Sequence, residues 1–232
     1  MTHMIFRDTF RKPALVAAAL LTLASAPALA VKPFTANYSA NYMGLQGNGT
    51  MTLAASGGDR WTYTLAIRSS LVQLTQSTVF EDRGGQWRPL SGSDSSLLLI
   101  KKNNKNASYD WGRGEARWSG DVKADRSGPV KLQAGDLDAM LVNLAIPRDL
   151  AAGKSLNYRM VDDGRAKQLS YQVAGKDTVS IGGKSQQATR VSRTDGNKQT
   201  IVWVVDGLPV PARILQRKDG KDEMDLRLKS VH

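Results

Sequence analysis

Apolar and polar residues alternate along most of the chain from residue 34 onward. In the first such segment, apolar residues occupy every second position from Phe34 to Tyr42, and glycines break the run directly afterwards. Side chains of a β-strand point alternately to opposite faces, so this period predicts a strand with one buried and one solvated face. The alternation returns in segments 51–55 and 61–67. Because only short turns separate them, the three segments predict an antiparallel meander.

Turn signals divide the second half of the chain in the same way. Alternating segments begin at Lys154 and continue to Leu228. Pairs of aspartate and glycine separate them, and such pairs favour the tight turns of β-hairpins. These pairs are Asp163–Gly164, Asp195–Gly196, Asp206–Gly207 and Asp219–Gly220. We therefore expect antiparallel hairpins throughout this half.

One segment has helical rather than strand periodicity. Its apolar residues recur at intervals of three and four, which places them on one face of a helix. They are Leu137, Met140, Leu141 and Leu144. Asp136 is expected to cap the N-terminus, and Pro147 is expected to end the helix. The pattern predicts one short helix over residues 137–146 that packs on the apolar face of a sheet.

The middle of the chain carries weaker signals. Pro89 indicates an edge strand or a strand end, because proline cannot donate a ladder hydrogen bond. The apolar run 97–100 predicts a strand buried on both faces. The glycines of segment 112–115 predict a hairpin turn, across which Trp111 and Trp118 are expected to pair.

Together these patterns predict a mainly β protein. We expect an antiparallel meander that forms a curved sheet or a partly open β-barrel or sandwich, with the short helix inserted near its middle. No low-complexity linker interrupts residues 31–232. These residues are therefore interpreted as a single β-rich domain.

Residues 1–30 have the pattern of a secretory signal peptide. Basic residues precede an apolar run over 14–24, which is shorter than the about 20 residues that span a bilayer. Ala28 and Ala30 supply the small side chains that signal peptidase requires, so cleavage is expected before Val31. An uncleaved N-terminal anchor is the alternative. The expected location is the periplasm, with no transmembrane span in the mature chain, although the pattern does not separate periplasmic from fully secreted proteins.

The charge balance is strongly basic. The chain has 32 lysines and arginines against 21 aspartates and glutamates, which gives a formal net charge of +11. Excess positive charge favours anionic surfaces. For an exported chain these are lipid headgroups, lipopolysaccharide or glycans, and nucleic acid is not an expected partner. A solvated basic surface that aids solubility is the alternative.

Catalysis that depends on histidine or cysteine is excluded from the body of the chain. There is no cysteine, and the two histidines are His3 and the terminal His232. A Ser-His-Asp triad, a Cys-His dyad and a histidine- or cysteine-based zinc site therefore cannot be built. Carboxylate groups remain at 162–163 and 222–225, but both lie in predicted turns beside basic residues, where solvated positions explain them better. We expect no enzymatic activity, cofactor or metal site, and a carboxylate-based hydrolase is the remaining enzymatic alternative.

An ordered set of short motifs resembles a known family. The motifs comprise Phe34, Ala36, Tyr38, Tyr42 and Gly44; the segment 136–146; Gly153, Lys154, Tyr158, Asp163 and Gly164; Tyr171, Val173 and Gly175; and Trp203, Pro211, Arg213 and Ile214, followed by Asp219–Gly220. In this order they resemble the exported bacterial proteins called domain of unknown function 3108 (DUF3108). The resemblance implies a mainly antiparallel β protein of the cell envelope, and it brings no established activity and no catalytic residues.

Aromatic residues in strand-like segments are the candidate ligand-lining positions. They are Trp61, Tyr63, Trp111, Trp118 and Trp203. On the concave face of a curved sheet they would line a pocket for a lipid or a glycan, and filling of the core is the alternative.

Two functions from different classes fit the sequence. The first is a non-enzymatic module that carries or senses an apolar or amphipathic envelope molecule, with the helix as plug or lid. The second is an assembly or structural factor that binds other envelope proteins through sheet edges. A dry cavity larger than a few side chains would favour the first, and a filled core with a long unpaired edge would favour the second.

Overall fold

The structure is a computed structural model that describes residues 31–98 and 100–232. Within them the chain is almost entirely β. The strands are β1 (Phe34–Tyr42), β2 (Leu45–Ala55), β3 (Arg60–Arg68), β4 (Val72–Arg83), β5 (Gln86–Leu98), β6 (Lys101–Asp110), β7 (Glu115–Gly120), β8 (Val130–Lys131), β9 (Asn157–Asp162), β10 (Arg165–Ser170), β11 (Gln172–Ile181), β12 (Lys184–Asp195), β13 (Lys198–Val204), β14 (Arg213–Lys218) and β15 (Lys221–Val231). A single α-helix, α1 (Ala139–Ala151), and a 3-10 turn (Ala124–Arg126) complete the described elements.

Thirteen strands form one antiparallel sheet. Their order is β11-β12-β13-β14-β15-β1-β2-β3-β4-β5-β6-β7-β8, and β9 and β10 form a separate hairpin. The first strand pairs with the last, so the two ends of the domain meet in the middle of the sheet. Among the described residues, the edge strands β8 and β11 are not hydrogen-bonded to each other, and the sheet is not closed into a barrel. The predicted fold class, a mainly β antiparallel meander with one helix, is confirmed.

The sheet curls around α1. Residues from distant strands, such as Phe80 in β4 and Val191 in β12, belong to one buried cluster with the helix residues Leu141 and Ile146. Alternation along the strands produces this packing, because every second side chain points to the concave side. In β1, for example, Ala36, Tyr38 and Ala40 are buried while the residues between them are not. The interior under the helix is therefore filled with side chains.

The helix was predicted in the right place, but both of its ends differ. Asp138 is the N-cap, and its side chain accepts a hydrogen bond from the Leu141 N–H. Asp136 instead accepts hydrogen bonds from the Gln133 N–H and from Arg159. Pro147 lies inside the helix, which continues to Ala151.

The missing N–H of Pro147 removes one hydrogen bond from the helix. Because residues 144–147 are all buried, their packing offsets this loss and the helix continues past Pro147. The true stop is Gly153, whose φ of 64° is the left-handed conformation that commonly follows the last helical turn. The N–H groups of Ala152 and Gly153 donate to the carbonyls of Arg148 and Leu150.

Pro89 lies in the first part of β5, which pairs with β4 only, because pairing with β6 begins at Ser91. This part is therefore a local edge, as predicted, although β5 as a whole is an interior strand whose register shifts by one residue opposite Val79 and Phe80. At such a bulge the ladder of hydrogen bonds is interrupted, so the missing N–H of Pro89 is tolerated. The run 97–100 is not a strand buried on both faces, since it ends β5 and enters a turn in which Ile100 is 97 % exposed. Leu99 lies outside the described residues.

No helix in the described part of the chain is long and apolar enough to cross a membrane. The predicted signal peptide, including Ala28 and Ala30 of the cleavage site, lies outside the described residues. Val31 is half-buried and packs against the main core cluster.

Candidate functional site: a carboxylate-lined cleft

A polar row crosses the concave face of β4, β5 and β6. Gln76 lies opposite Asp94, and Asp94 lies opposite Lys105. Directly opposed residues of antiparallel strands point to the same face, so the three side chains form one stripe. The Gln76 amide donates to the Asp94 carboxylate at 3.2 Å. This stripe is the floor of a cleft of about 110 Å³.

The roof of the cleft comes from two segments that are bound to each other. One is the N-terminus of α1 with Asp138, and the other is the turn between β9 and β10 with Asp162 and Asp163. The backbone of Leu137 joins them, because its N–H donates to Arg159 O at 3.2 Å and its carbonyl accepts from Val161 N at 2.8 Å. The helix start and the turn are therefore held in a fixed relation.

Asp138 is a buried carboxyl with both oxygens occupied. Oδ1 accepts from the Leu141 N–H at 2.8 Å, and Oδ2 accepts from the Thr78 hydroxyl. Burial, together with the charge of Asp162, raises the pKa of Asp138 to about 7, and the hydrogen bonds from Thr78 and from the backbone of Met140 and Leu141 act in the opposite direction. The carboxyl therefore changes its charge in the neutral range.

Asp162 and Asp163 are adjacent but lie in different environments. Burial raises the pKa of Asp162 above its ordinary range. Asp163 is exposed and is contacted by Lys105 Nζ at 3.1 Å and by Arg126 at 3.2 Å. The expectation that both are solvated turn residues is wrong for Asp162, because the turn is folded down onto the cleft.

Trp118 lines the cleft and lacks a hydrogen-bond partner. It is only 6 % exposed, and its Nε1 finds no acceptor among the described residues. Its ring packs edge-on against Tyr109 with the centroids 6.0 Å apart, and the Tyr109 hydroxyl donates to Val161 O at 3.0 Å. A buried N–H without an acceptor costs free energy, so this position favours an acceptor brought by a ligand or by water.

The chemistry of the cleft is that of hydroxyl and ammonium recognition. Carboxylates accept hydrogen bonds from such groups, Trp118 offers one donor to an oxygen, and Lys105 offers a positive charge near the entrance. No group of three or more acidic, histidine or cysteine side chains within residues 31–98 and 100–232 is placed to hold a metal ion. The volume suits the polar head of a larger molecule.

The structure distributes the five aromatic candidates over different places, and only Trp118 lines the cleft. Tyr63 is fully buried with its hydroxyl on Met51 Sδ, and Trp61 packs at the margin of the main core. Trp111 lies in the turn after β6 and donates to Pro89 O at 2.7 Å. Trp203 donates to Asp177 on the opposite face of the sheet.

The expected pairing of Trp111 with Trp118 is wrong. The register places Ala107, not an aromatic residue, opposite Trp118, and it places Ala116 opposite Tyr109. The turn comprises residues 111–114, one residue earlier than predicted, and Tyr109 takes the place of Trp111 beside Trp118.

Sequence reasoning missed the two central residues of the cleft, Thr78 and Asp138. Thr78 and Gln76 are successive polar residues on the inward face of β4, whose other inward residues Val72, Leu74 and Phe80 are apolar. Such a break in the alternation is a signal of a polar site. Asp138 follows Asp136 by two residues, and the choice between them as N-cap could not be made from their spacing alone.

Comparisons with known proteins agree with this architecture. A family model described as "Protein of unknown function (DUF3108)" matches residues 37–227. Among solved structures, the chain is similar to a beta-barrel-like protein of domain of unknown function DUF1849 from Brucella abortus, with a TM-score of 0.52 and 10 % identity. The similarity covers 86 % of this chain and 97 % of that chain and shows a shared fold. No curated protein matches the sequence.

Proposed function

The chain belongs to the DUF3108 family, and we propose that this member is a non-enzymatic periplasmic module that holds an amphipathic envelope molecule by its polar head. The observation that carries the proposal is the buried, unpartnered Nε1 of Trp118 in a cleft that is lined by the buried Asp138 and the half-buried Asp162. A ligand oxygen would accept from Trp118 while neighbouring hydroxyl groups donate to Asp94 or Asp162. Glycans and the headgroups of glycolipids carry such groups on adjacent atoms.

An apolar tail has a path next to the cleft. Moving from the polar stripe toward the β3–β4 and β5–β6 turns, the same face carries Leu74 and then the opposed pair Val72 and Leu98. Leu74 is half-buried and Leu98 is exposed. We call Leu74, Val72 and Leu98 the apolar rim. The interior beneath α1 is already filled, so the tail would lie along this rim rather than inside the fold. This order of a polar cleft and an apolar rim favours a lipid or lipid-linked glycan.

The arrangement of Asp138 supports binding rather than catalysis. A general acid or base must be within hydrogen-bond reach of the substrate proton. Both oxygens of Asp138 are already used by Leu141 and Thr78. Asp162 also accepts from the Asp163 N–H at 2.8 Å. These bonds fix the carboxyls as acceptors in a rigid wall.

The proposed location rests on the leader pattern of residues 1–30 and on the basic charge of the chain. A signal peptide would deliver the folded domain to the compartment in which lipid headgroups and glycans are exposed. Without residues 1–30 the net charge is +9, which would keep the domain near anionic envelope surfaces.

A specific feature also favours the second function, an assembly factor that binds proteins by its sheet edge. Within the described residues, β11 is hydrogen-bonded only to β12, and it is ten residues long. Strand addition needs such an edge. However, β11 carries a bulge between Val173 and Gly175 and an exposed Lys176, which are features that discourage edge pairing. We therefore rank this function second.

Native mass spectrometry of protein purified from a bacterial envelope without detergent tests the proposal. We expect the wild type to carry a lipid or glycan of defined mass, and Trp118→Phe to lose it. Trp61→Phe is the matched control, because Trp61 lies away from the cleft. A wild type that is free of any adduct would contradict the carrier function, and crosslinks from β11 to another envelope protein would then support the second one.

A further inference from the structure

Four of the five large apolar side chains that are exposed in the described residues lie at one end of the sheet. They are Met43 (62 % exposed), Leu71 (44 %), Leu98 (39 %) and Ile100 (97 %). We call these four the tip residues. The fifth, Val173, lies on the edge strand β11. Single exposed apolar residues are normal, but a concentration of them at one place marks an interaction surface.

The strand register brings the tip residues to the same end. Asn48, near the start of β2, pairs with Arg68 at the end of β3, so the β1–β2 turn with Met43 lies beside the β3–β4 turn. Val72, at the start of β4, pairs with Leu98 at the end of β5. The turns that carry Leu71 and Ile100 are therefore neighbours as well. Three hairpin turns therefore place their apolar residues at the same end of the sheet.

Basic side chains lie close in the chain to three of the tip residues, Leu71, Leu98 and Ile100. Arg68, Lys101 and Lys102 are all exposed, and none of them forms an ion pair within the described part of the chain. Lys101 and Lys102 follow Ile100 directly. Apolar residues flanked by cations match the boundary of an anionic bilayer, where apolar groups enter the acyl region and cations remain among the headgroups.

We propose that the tip residues insert into the surface of an anionic lipid bilayer and that Arg68, Lys101 and Lys102 contact its headgroups. The side chains stand on separate turns instead of forming one flat face, which suits a fluid surface better than a rigid protein partner. This docking does not depend on the cleft, although Leu98 belongs both to the tip residues and to the apolar rim. A docked molecule would therefore present the rim to the membrane.

Vesicle co-sedimentation of the exported protein tests this proposal. The probes are vesicles of phosphatidylcholine alone and vesicles in which about one third of the lipid is phosphatidylglycerol. We expect binding to the anionic vesicles, which decreases with added salt, and much weaker binding to the neutral ones. Leu71→Ser with Ile100→Ser, which we call the tip variant and which leaves the apolar rim intact, and separately Lys101→Gln with Lys102→Gln, should each weaken binding by about tenfold or more.

Val173→Ser is the matched control, since it removes an exposed apolar side chain on the edge strand β11. It should leave vesicle binding unchanged, and unchanged thermal midpoints would show that the variants fold. The proposal is overturned if the wild type binds neither vesicle, if Val173→Ser weakens binding as much as the tip variant, or if the tip variant abolishes a dimer instead of vesicle binding. Native mass spectrometry of the tip variant separates the two proposals, because ligand held in the cleft should survive there.

Discussion

Thr78 donates a hydrogen bond from its hydroxyl to the carboxylate of Asp138, and both residues are buried. The contact joins strand β4 to the N-cap of the only α-helix in the described residues. Asp138 thus has two structural roles, since it begins the helix and fixes the helix to the sheet at the edge of the cleft.

Removing the Thr78 hydroxyl should destabilise the protein. Thr78→Val keeps the shape of the side chain but leaves Asp138 Oδ2 without its donor, which we expect to cost about 1–3 kcal/mol of the free energy of unfolding. Urea denaturation at pH 8 measures it. Thr75→Val on the outer face of the same strand is the control, and it should change stability by less than about 0.5 kcal/mol. Equal losses in both variants would contradict a specific role of the Thr78–Asp138 bond.

Asp138 should make the stability depend on pH. The unfolded chain releases this proton near the ordinary pKa of 3.8, and the folded protein releases it near pH 7. Between these values the folded state binds one more proton, so the contribution of Asp138 to the free energy of unfolding falls as the pH rises and levels off above pH 7. Asp138→Asn preserves the N-cap and should remove this dependence of stability on pH. At pH 8 we expect the variant to be more stable than the wild type, on the order of a few kcal/mol in the free energy of unfolding.

The measurement is the difference in unfolding free energy between wild type and Asp138→Asn from pH 4 to pH 8. The difference cancels carboxyls that do not interact with Asp138, such as Asp225, whose pKa the neighbouring arginines lower. It retains the coupling between Asp138 and Asp162. A difference that stays constant over this range would show that Asp138 does not titrate there.

The turn over the cleft should not tolerate a side chain at Gly164. A Cβ at this position would overlap the carbonyl of Arg126, and the φ of 69° adds strain. Gly164→Ala should therefore cost more than Gly58→Ala, where φ is 57° but the surrounding space is open. We expect the two variants to differ by about 1–3 kcal/mol in urea denaturation. Equal losses would mean that the turn can move away from the 3-10 segment without cost.

The helix should behave as part of the core. Leu141 is fully buried among strand residues, so Leu141→Ala should cost about 2–5 kcal/mol. Val173→Ala, at a position that is 61 % exposed, should change stability by less than about 0.5 kcal/mol. If Leu141→Ala costs less than about 1.5 kcal/mol and alters ligand uptake, the helix is a mobile lid instead.

Local patterns predicted most of the fold because each strand has its own periodicity and its own turn. The Asp-Gly pair at 163–164, for example, forms a tight turn with both residues at positive φ. The pairing of β1 with β15 could not be predicted in the same way, since it depends on how far the whole sheet curls. The prediction for the run 97–100 was wrong because the run ends in an exposed turn, where apolar residues are not buried.

Most of the candidate site could not be predicted from the sequence. It combines the inner face of β4–β6, the start of α1 and a turn about 25 residues later, and no short motif connects such segments. The aromatic residues indicated one component, Trp118, through their general preference for binding surfaces and cores. Asp162 is half-buried because its turn folds onto the sheet, and no local pattern indicates such a long-range contact.

The most direct test of the account is a calorimetric titration with n-octyl β-D-glucoside, kept below its micellar concentration, as a molecule with a hydroxylated head and an apolar tail. We predict saturable binding to the wild type, at least about a fivefold loss of affinity in Trp118→Phe, which removes one hydrogen bond, and unchanged binding in Trp61→Phe. Absence of saturable binding to the wild type, or equal affinities in all three proteins, would contradict the claim that this cleft holds the head of an amphipathic molecule.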